Sequence, residues 1–135
     1  MTNDTLAQSY LKKSKSRLKI LPILLKDKNY SDVIRESQEV VELALKGMLR
    51  QVGIEPPKWH DVGKLLVENK ELFPPEIVNQ LDHIASISRY LRKERELAFY
   101  GETDFIPTEE YDQKTAKQAI SDARFIVRCA KKLIR

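Results

Sequence analysis

The sequence predicts an all-α fold, an antiparallel up-down bundle of about four long helices plus a short one, within a single domain over residues 1–135. Apolar residues recur at intervals of three and four along four long stretches, as they do on one face of a helix. No run alternates apolar and polar residues as a strand would, and the chain has only four glycines. The mix of 41% hydrophobic and 33% charged residues is typical of a soluble, helix-rich protein.

The first helix is predicted from apolar and small residues at helical spacing. These residues are Leu6, Tyr10, Ser14, Leu18 and Leu21. Pro22 removes a backbone donor and clashes with the preceding turn, so it either kinks this helix or ends it. The segment 12–19 carries five basic residues and no acidic one. A solvated helix face is the commoner reason for such a run.

The clearest helix covers residues 30–53, which carry one wide apolar stripe. Ser31 is predicted to cap its start, and Gly53 is predicted to end it. Glu42 and Lys46 stand four residues apart, in the order that favours an ion pair on a helix.

A loop and a short helix follow in the stretch IEPPKWHDVGKLL, residues 54–66. Its two prolines favour an extended lead-in, after which His60 or Asp61 can cap the short helix. The next long helix restarts after the proline pair of FPPEIVNQ, residues 73–80, and is predicted to run to Phe99.

The last helix is predicted from an alanine-rich apolar stripe that begins at Ala116 and ends at Ile134. Thr108 is predicted to cap it. Glu109 and Glu110 would then lie at its positive N-terminal end, where acidic side chains are stabilising.

Cysteine, charge and hydropathy limit the possible functions. Cys129 is the single cysteine, so an intrachain disulfide and a cysteine zinc cluster are excluded, and a reduced, cytoplasmic setting is expected. No apolar run approaches the roughly 18 residues of a membrane span, and no secretion signal is recognised. The net charge of +4 permits nucleic-acid binding without requiring it. His60 is interpreted as a structural cap and His83 as solvent-facing, so no metal site and no cofactor are predicted.

One arginine of the fourth long helix stands where the apolar pattern asks for leucine. At about 100° per residue, Arg95 falls on the centre of the apolar face, and Arg92 lies about 60° to one side. A desolvated guanidinium needs a partner. That partner could be Glu36 or Glu42 on a neighbouring helix, a second subunit, or a phosphate, whose geometry matches the guanidinium fork. The stripe consists of Ile77, Leu81, Ile84, Ser88, Leu91, Arg95 and Ala98.

Three stretches, in order, resemble HEPN-domain proteins, the "higher eukaryotes and prokaryotes nucleotide-binding" helical bundles. ESQEVVELALKGMLRQVG resembles the second helix of that family, and PPKWHDVGKLL resembles its H-x-x-x-x-L-L segment. RKERELAFYG and IPTEEYDQKTAKQAISDARFIV resemble its arginine-led motif, its proline-containing loop and its alanine-rich last helix. The resemblance covers residues 5–134. It implies a helical bundle that often pairs as a homodimer around the arginine-bearing helix.

The resemblance also implies a function. Many members of the family are ribonucleases with an R-x4-6-H motif, and others lack the motif and bind nucleotides or RNA, often beside a small nucleotidyltransferase partner. Arg95 matches the motif arginine, and Tyr100 stands where the histidine is expected. A phenol with an ordinary pKa near 10 is a poor general acid or base at neutral pH, whereas an imidazole near 6.5 is well suited. Tyr100 can still bind a phosphate or stack on a base.

We therefore predict a nucleotide- or RNA-binding protein of HEPN type that acts as a homodimer and does not associate with a membrane. Its predicted nucleotide-binding residues are Arg89, Arg92, Arg95 and Tyr100. The second interpretation is a metal-independent ribonuclease of toxin type, with Arg95 and Tyr100 as an altered catalytic set. The third is a pure interaction module that docks a nucleotidyltransferase partner.

Overall fold

The computed structural model describes residues 2–58, 61–100 and 111–135, with residues 96–100 described as helix backbone. Within these ranges all regular structure is helical and no strand occurs, which confirms the predicted all-α fold. The four long helices are α1 (Asn3–Leu18), α3 (Tyr30–Gln51), α6 (Leu81–Tyr100) and α7 (Gln113–Leu133). The short elements are α2 (Leu21–Lys26), α4 (Val62–Glu68), a 3-10 turn (Lys70–Leu72) and α5 (Pro75–Val78).

Prolines account for the extra short helices. Pro22 lies in the first turn of α2, and Pro75 is the first residue of α5. Proline is tolerated in a first helical turn because its missing N–H would have no partner there. The helix predicted to run from the proline pair of FPPEIVNQ to Phe99 is divided in two at Asn79 and Gln80, and its second part, α6, extends to Tyr100.

Within the bundle, α3 is the central helix and packs against α1, α6 and α7. Ser14 Oγ of α1 donates to the Val40 carbonyl at 2.9 Å, and Arg17 pairs with Glu36 at 3.3 Å. Residue numbers rise along α1 as they fall along α3, so these two helices are antiparallel, as the predicted up-down topology requires.

Helices α6 and α7 are also antiparallel. The hydroxyl of Tyr111, just before α7, donates to the Glu94 carbonyl at 3.2 Å and to the Glu94 carboxylate at 2.8 Å. At the opposite end of the pair, the ring of His83 lies 5.0 Å from the ring of Phe125. His83 is exposed, which confirms its predicted orientation.

The apolar stripe of α3 forms the middle of the core. Burial of each large side chain stabilises the fold by about 1.5–3 kcal/mol, so this helix holds the bundle together. At Gly47, an added Cβ would lie 3.2 Å from the Ala7 carbonyl oxygen of α1 and 3.0 Å from Cδ1 of Ile134, just after α7, so both neighbouring segments approach α3 closely here. The fully buried members of the stripe are Val33, Ile34, Val40, Val41, Ala44, Leu45, Met48 and Leu49.

The two ends of α3 give different outcomes for the predicted caps. Ser31 as the N-terminal cap is wrong, because the helix already begins at Tyr30 and the serine is buried inside its first turn. Gly53 as the end of the helix is confirmed. It adopts φ +87, and the N–H of Ile54 then reaches the Leu49 carbonyl at 2.9 Å.

The predicted cap of the last helix is also wrong. Asp112 Oδ1 accepts a hydrogen bond from the Thr115 N–H at 2.8 Å, so Asp112 caps α7. A capping side chain must stand directly before the first turn to reach those amides, and Thr108 lies too far upstream. Thr108, Glu109 and Glu110 themselves lie outside the described residues.

Candidate functional site

Helix α6 carries the arginines at the end of its buried stripe. Leu81, Ile84 and Leu91 are buried, but the side chain of Arg95, one turn further on, is 37% exposed. Arg95 therefore continues the buried face of α6 to the edge of the core, where its side chain is only partly removed from water. A long arginine stem can pack on apolar neighbours while its charged end reaches the surface.

The partner of Arg95 is a glutamate of α3. Arg95 Nη2 donates to Glu39 Oε1 at 3.0 Å. Arg95 Nε is buried and has no hydrogen-bond partner within the described part of the chain. Neither of the predicted partners, Glu36 and Glu42, is the one observed. The antiparallel register between α6 and α3 decides the pairing, since Arg92 and Arg95 meet Glu42 and Glu39 in reverse order.

Arg92 lies beside two carboxylates at longer distances. Its Nε is 3.9 Å from Glu42 Oε1, and its Nη1 is 3.7 Å from Asp61 Oδ1. Both distances are too long for a hydrogen bond. Nη1 is buried and has no hydrogen-bond partner among the described residues. Arg92 thus has charge neutralisation but retains an unused donor.

Asp61 connects this site to the short helix α4. Its Oδ1 accepts a hydrogen bond from the Lys64 N–H at 3.3 Å, so it is the N-cap that the sequence allowed. The same oxygen faces Arg92. The alternative cap, His60, lies outside the described residues together with its neighbour Trp59.

Glu42 is largely buried beside Arg92. Burial raises the pKa of its carboxyl above the ordinary value, and the charges of Arg92 and Lys46 and a hydrogen bond from Gln38 at 2.9 Å counteract that rise. Lys46 acts on Glu42 through its charge. Within the described ranges, Glu42 forms an ion pair with Arg92. The predicted ion pair between Glu42 and Lys46 is not formed there.

A polar cavity of about 410 Å³ opens at these side chains. Four cationic and two anionic side chains surround it. Lys58 was not predicted from the sequence as a site residue, and Lys46 was predicted only as an ion-pair member. The sequence feature that could have indicated these two lysines is their position in the resembling stretches, Lys46 in ELALK and Lys58 in PPK. The lining residues are Gln38, Glu39, Glu42, Lys46, Lys58, Arg92 and Arg95.

The two other predicted site residues have different outcomes. Arg89 is exposed on α6 and does not line this cavity. Tyr100 ends α6, and its side chain lies outside the described residues. The structure therefore brings together Arg92 and Arg95, places Arg89 outside their cavity, and leaves the role of Tyr100 as a prediction.

Membrane-spanning helices and metal-binding clusters are both absent from the described residues. No helix in residues 2–58, 61–100 and 111–135 combines the length and apolar character needed to cross a membrane. In the same ranges, no three histidine, cysteine, aspartate or glutamate side chains form a group that could hold a metal ion.

Comparison of the sequence with known proteins gives two matches. The profile of the HEPN domain matches residues 7–133. The chain is also 25% identical over 139 residues to a protein of Methanocaldococcus jannaschii named "Putative toxin MJ1304". That alignment covers 98% of this chain and 91% of the relative.

Two crystal structures have a similar fold. TT1696 from Thermus thermophilus matches with a TM-score of 0.74 and 19% identity, over 93% of this chain and 96% of that one. ST0689, described as an archaeal HEPN homologue, matches with a TM-score of 0.71 and 23% identity, over 96% of this chain and 98% of that one. At these identities the likeness concerns the fold alone.

Proposed function

The chain belongs to the HEPN domain family, and from this premise we propose that it binds phosphate groups of RNA or of a nucleotide at Arg92 and Arg95. The observation that carries the proposal is the pair of buried guanidinium nitrogens, Arg92 Nη1 and Arg95 Nε, that have no hydrogen-bond partner among the described residues. They lie on two arginines that line one polar cavity.

Energetics favour an anionic ligand at this place. A buried donor without a partner costs about 1–3 kcal/mol, so a group that accepts from it is bound with a corresponding gain. Phosphate oxygens accept from guanidinium in short, charge-assisted hydrogen bonds, often two at once. Lys46 and Lys58 on the same cavity add positive charge without demanding a fixed geometry.

The glutamates of the site are compatible with this proposal. Glu39 holds Arg95 through one nitrogen, and Glu42 contacts Arg92 only at 3.9 Å, so both arginines keep donors for a ligand. The carboxylates also keep the guanidinium groups from being buried without any counter-charge when no ligand is bound. They set the arginine positions in advance, which lowers the entropy lost on binding.

A direct test is binding of a fluorescently labelled single-stranded RNA of 12 nucleotides, followed by anisotropy. Arg92→Ala and Arg95→Ala should each weaken binding about tenfold or more, since a hydrogen bond to a charged group is worth about 1.5–3 kcal/mol. Arg128→Ala, an exposed arginine of α7, is the matched control and should bind like wild type. Competition by ATP distinguishes a nucleotide site from an RNA site. Wild-type affinity of the Arg95→Ala variant would overturn the proposal.

A homodimer is the second part of the proposal. HEPN proteins often dimerise, and Arg95 stands at the edge of the core where a second chain can reach it. Light scattering should give about twice the chain mass of 15.7 kDa. A strict monomer at high micromolar concentration would contradict the dimer and leave the phosphate site standing. Co-purification with a small nucleotidyltransferase tests whether such an enzyme is a second protein partner.

A metal-independent ribonuclease of toxin type is the second candidate function, because the relative MJ1304 carries the word toxin in its name. In that case Arg95 and Tyr100 would act on the RNA. Robust cleavage by pure wild type in the presence of a chelator, lost in Arg95→Ala, would establish it. Binding without cleavage supports the first candidate. The variant Tyr100→His could gain cleavage that is lost again when Arg95→Ala is added. That result would also support the first candidate, because it shows that wild type binds RNA at this site and lacks only the catalytic imidazole.

A further inference from the structure

A second cavity lies between α1 and α3, against the basic segment of α1. Its volume is about 740 Å³. It has cationic side chains on one side and the apolar side chains Ile20 and Leu43 among its walls. The lining residues are Ser9, Lys12, Lys13, Ser16, Arg17, Ile20, Glu39 and Leu43.

Glu39 belongs to both cavities. It lines the cavity of Arg92 and Arg95, and it lines the cavity of α1. The exposed side of α3 at this residue is therefore a common wall, and the two openings lie on one continuous surface. A linear ligand bound at Arg95 can therefore continue over Glu39 toward α1.

The basic residues of segment 12–19 do not all face this surface. Lys12, Lys13 and Arg17 line the cavity, and Lys15 does not. At about 100° per residue, Lys12, Lys13 and Arg17 fall within an arc of about 140°, and Lys15 points about 130° away from the middle of that arc. The run of charge is thus divided into three cavity-facing residues and two exposed residues, Lys15 and Lys19, that do not line the cavity.

The cavity-facing lysines have unused charge. Arg17 pairs with Glu36 at 3.3 Å. Neither Lys12 nor Lys13 has an ion pair within the described ranges, and both are exposed. Ile20, at the end of the same row, is an exposed large apolar residue with 41% exposure. Free cations can bind the backbone phosphates of a single-stranded nucleic acid. The aliphatic side chains beside them offer an apolar surface against which the face of a base can pack.

Resting on the proposed function, we infer that a single RNA strand held at Arg92 and Arg95 continues over Glu39 into the α1 cavity. Lys12 and Lys13 there contact its backbone phosphates, and a base packs against Ile20 and Leu43. A very short RNA fills the arginine cavity alone, whereas a longer one occupies both cavities.

The test compares RNA length with lysine position. The variants are the double substitution Lys12→Gln with Lys13→Gln and a matched control, Lys15→Gln with Lys26→Gln, which removes the same charge from exposed residues that line neither cavity. For a 12-nucleotide RNA, the cavity pair should weaken binding about fivefold to tenfold, and the salt slope of log K should fall by about 1.4, the value for two lost phosphate contacts on a single strand. A trinucleotide should bind both variants equally.

Each outcome has one meaning. Equal loss in the two double variants would overturn the inference, since it indicates a diffuse basic surface. No loss for the cavity pair, together with loss in Arg95→Ala, would overturn the inference and leave the proposed function in place. Full binding by Arg95→Ala at both lengths would instead remove the proposed function. The last measurement is binding of the same variants to vesicles of phosphatidylcholine with phosphatidylserine. Loss of vesicle binding in the cavity pair without loss of RNA binding would assign the lysines to a membrane surface.

Discussion

Helices α6 and α7 are of similar length, but their apolar stripes differ. In α7 the predicted stripe is buried except for Leu133, which is half-buried. In α6 the stripe contains Ser88, buried with an Oγ that has no hydrogen-bond partner in the described part of the chain, and Arg95, whose Nε is likewise without one. The buried stripe consists of Ala116, Ala119, Ile120, Ala123, Ile126, Val127 and Ala130 of α7, and of Ile134 directly after the helix.

The difference separates packing from function. A stripe such as that of α7 is explained entirely by the core, because each of its side chains loses apolar surface to water on folding. The polar members of α6 reduce core packing, and a buried polar group without a partner is destabilising. Residues that cost stability at positions where leucine would fit are candidates for a role outside folding.

The largest expected effect comes from the uninterrupted stripe. Ile126→Ala on α7 should lower the free energy of unfolding by about 2–5 kcal/mol, because it opens a cavity in a fully buried position. Urea denaturation measures the change. Lys131→Ala, exposed on the same helix, is the control and should stay within about 0.5 kcal/mol of wild type. A small effect of Ile126→Ala would mean that α7 is not part of the rigid core.

Restoring the apolar pattern of α6 should separate stability from binding. Arg95→Leu is expected to change the free energy of unfolding by no more than about 1 kcal/mol, because both partners of the Arg95–Glu39 pair are about a third exposed and the remaining Glu39 carboxylate stays in contact with water. RNA affinity should fall about tenfold or more.

The free energy of unfolding and the RNA affinity of Arg95→Leu can be measured on one preparation, by urea denaturation and by anisotropy. A large loss of stability with unchanged RNA binding would identify Arg95 as a structural residue paired with Glu39. It would also remove the contrast between the two helices.

The stability of the protein should depend on pH through Glu42, the carboxyl group of α3 that faces Arg92 of α6. The folded-state pKa of Glu42 is raised above its ordinary value of 4.5, chiefly by burial, so the folded protein keeps this proton to higher pH than the unfolded chain does. The contribution of Glu42 to stability therefore falls as pH rises from about 4.5 through the raised pKa.

The difference between wild type and Glu42→Gln isolates this group from the other carboxyls. Denaturation at several pH values between about 4.5 and 7 should show wild type gaining stability relative to Glu42→Gln as pH falls. Parallel curves would mean that Arg92, Lys46 and Gln38 cancel the effect of burial completely.

The smallest expected effect concerns Ser88. Ser88→Ala should raise the free energy of unfolding by about 0.5–1 kcal/mol, because it removes a buried hydroxyl without a partner in the described ranges. Ser14→Ala is the matched comparison, since Ser14 is equally buried but donates to the Val40 carbonyl at 2.9 Å. That variant should lose about 1 kcal/mol. Thermal unfolding measures both, and equal losses would show that Ser88 has a hydrogen bond after all.

Much of the fold could be predicted because its signals are local. The spacing of apolar residues predicted the four long helices, and Gly53 predicted the end of α3, since an αL residue is needed at that point. Other helix ends were less certain because several polar residues stood near each boundary. Asp112, which caps α7, lies four positions after Thr108 in the sequence, and both residue types are suitable caps.

For the candidate site, the sequence by itself determined that Arg95 interrupts an apolar stripe and that Arg92 lies beside it, because both statements follow from helical geometry. Only the tertiary structure decided that Glu39 is the partner of Arg95 and that Lys46 and Lys58 line the same cavity. The register between two antiparallel helices results from the joint packing of many side chains of both helices. No spacing within one helix contains that information.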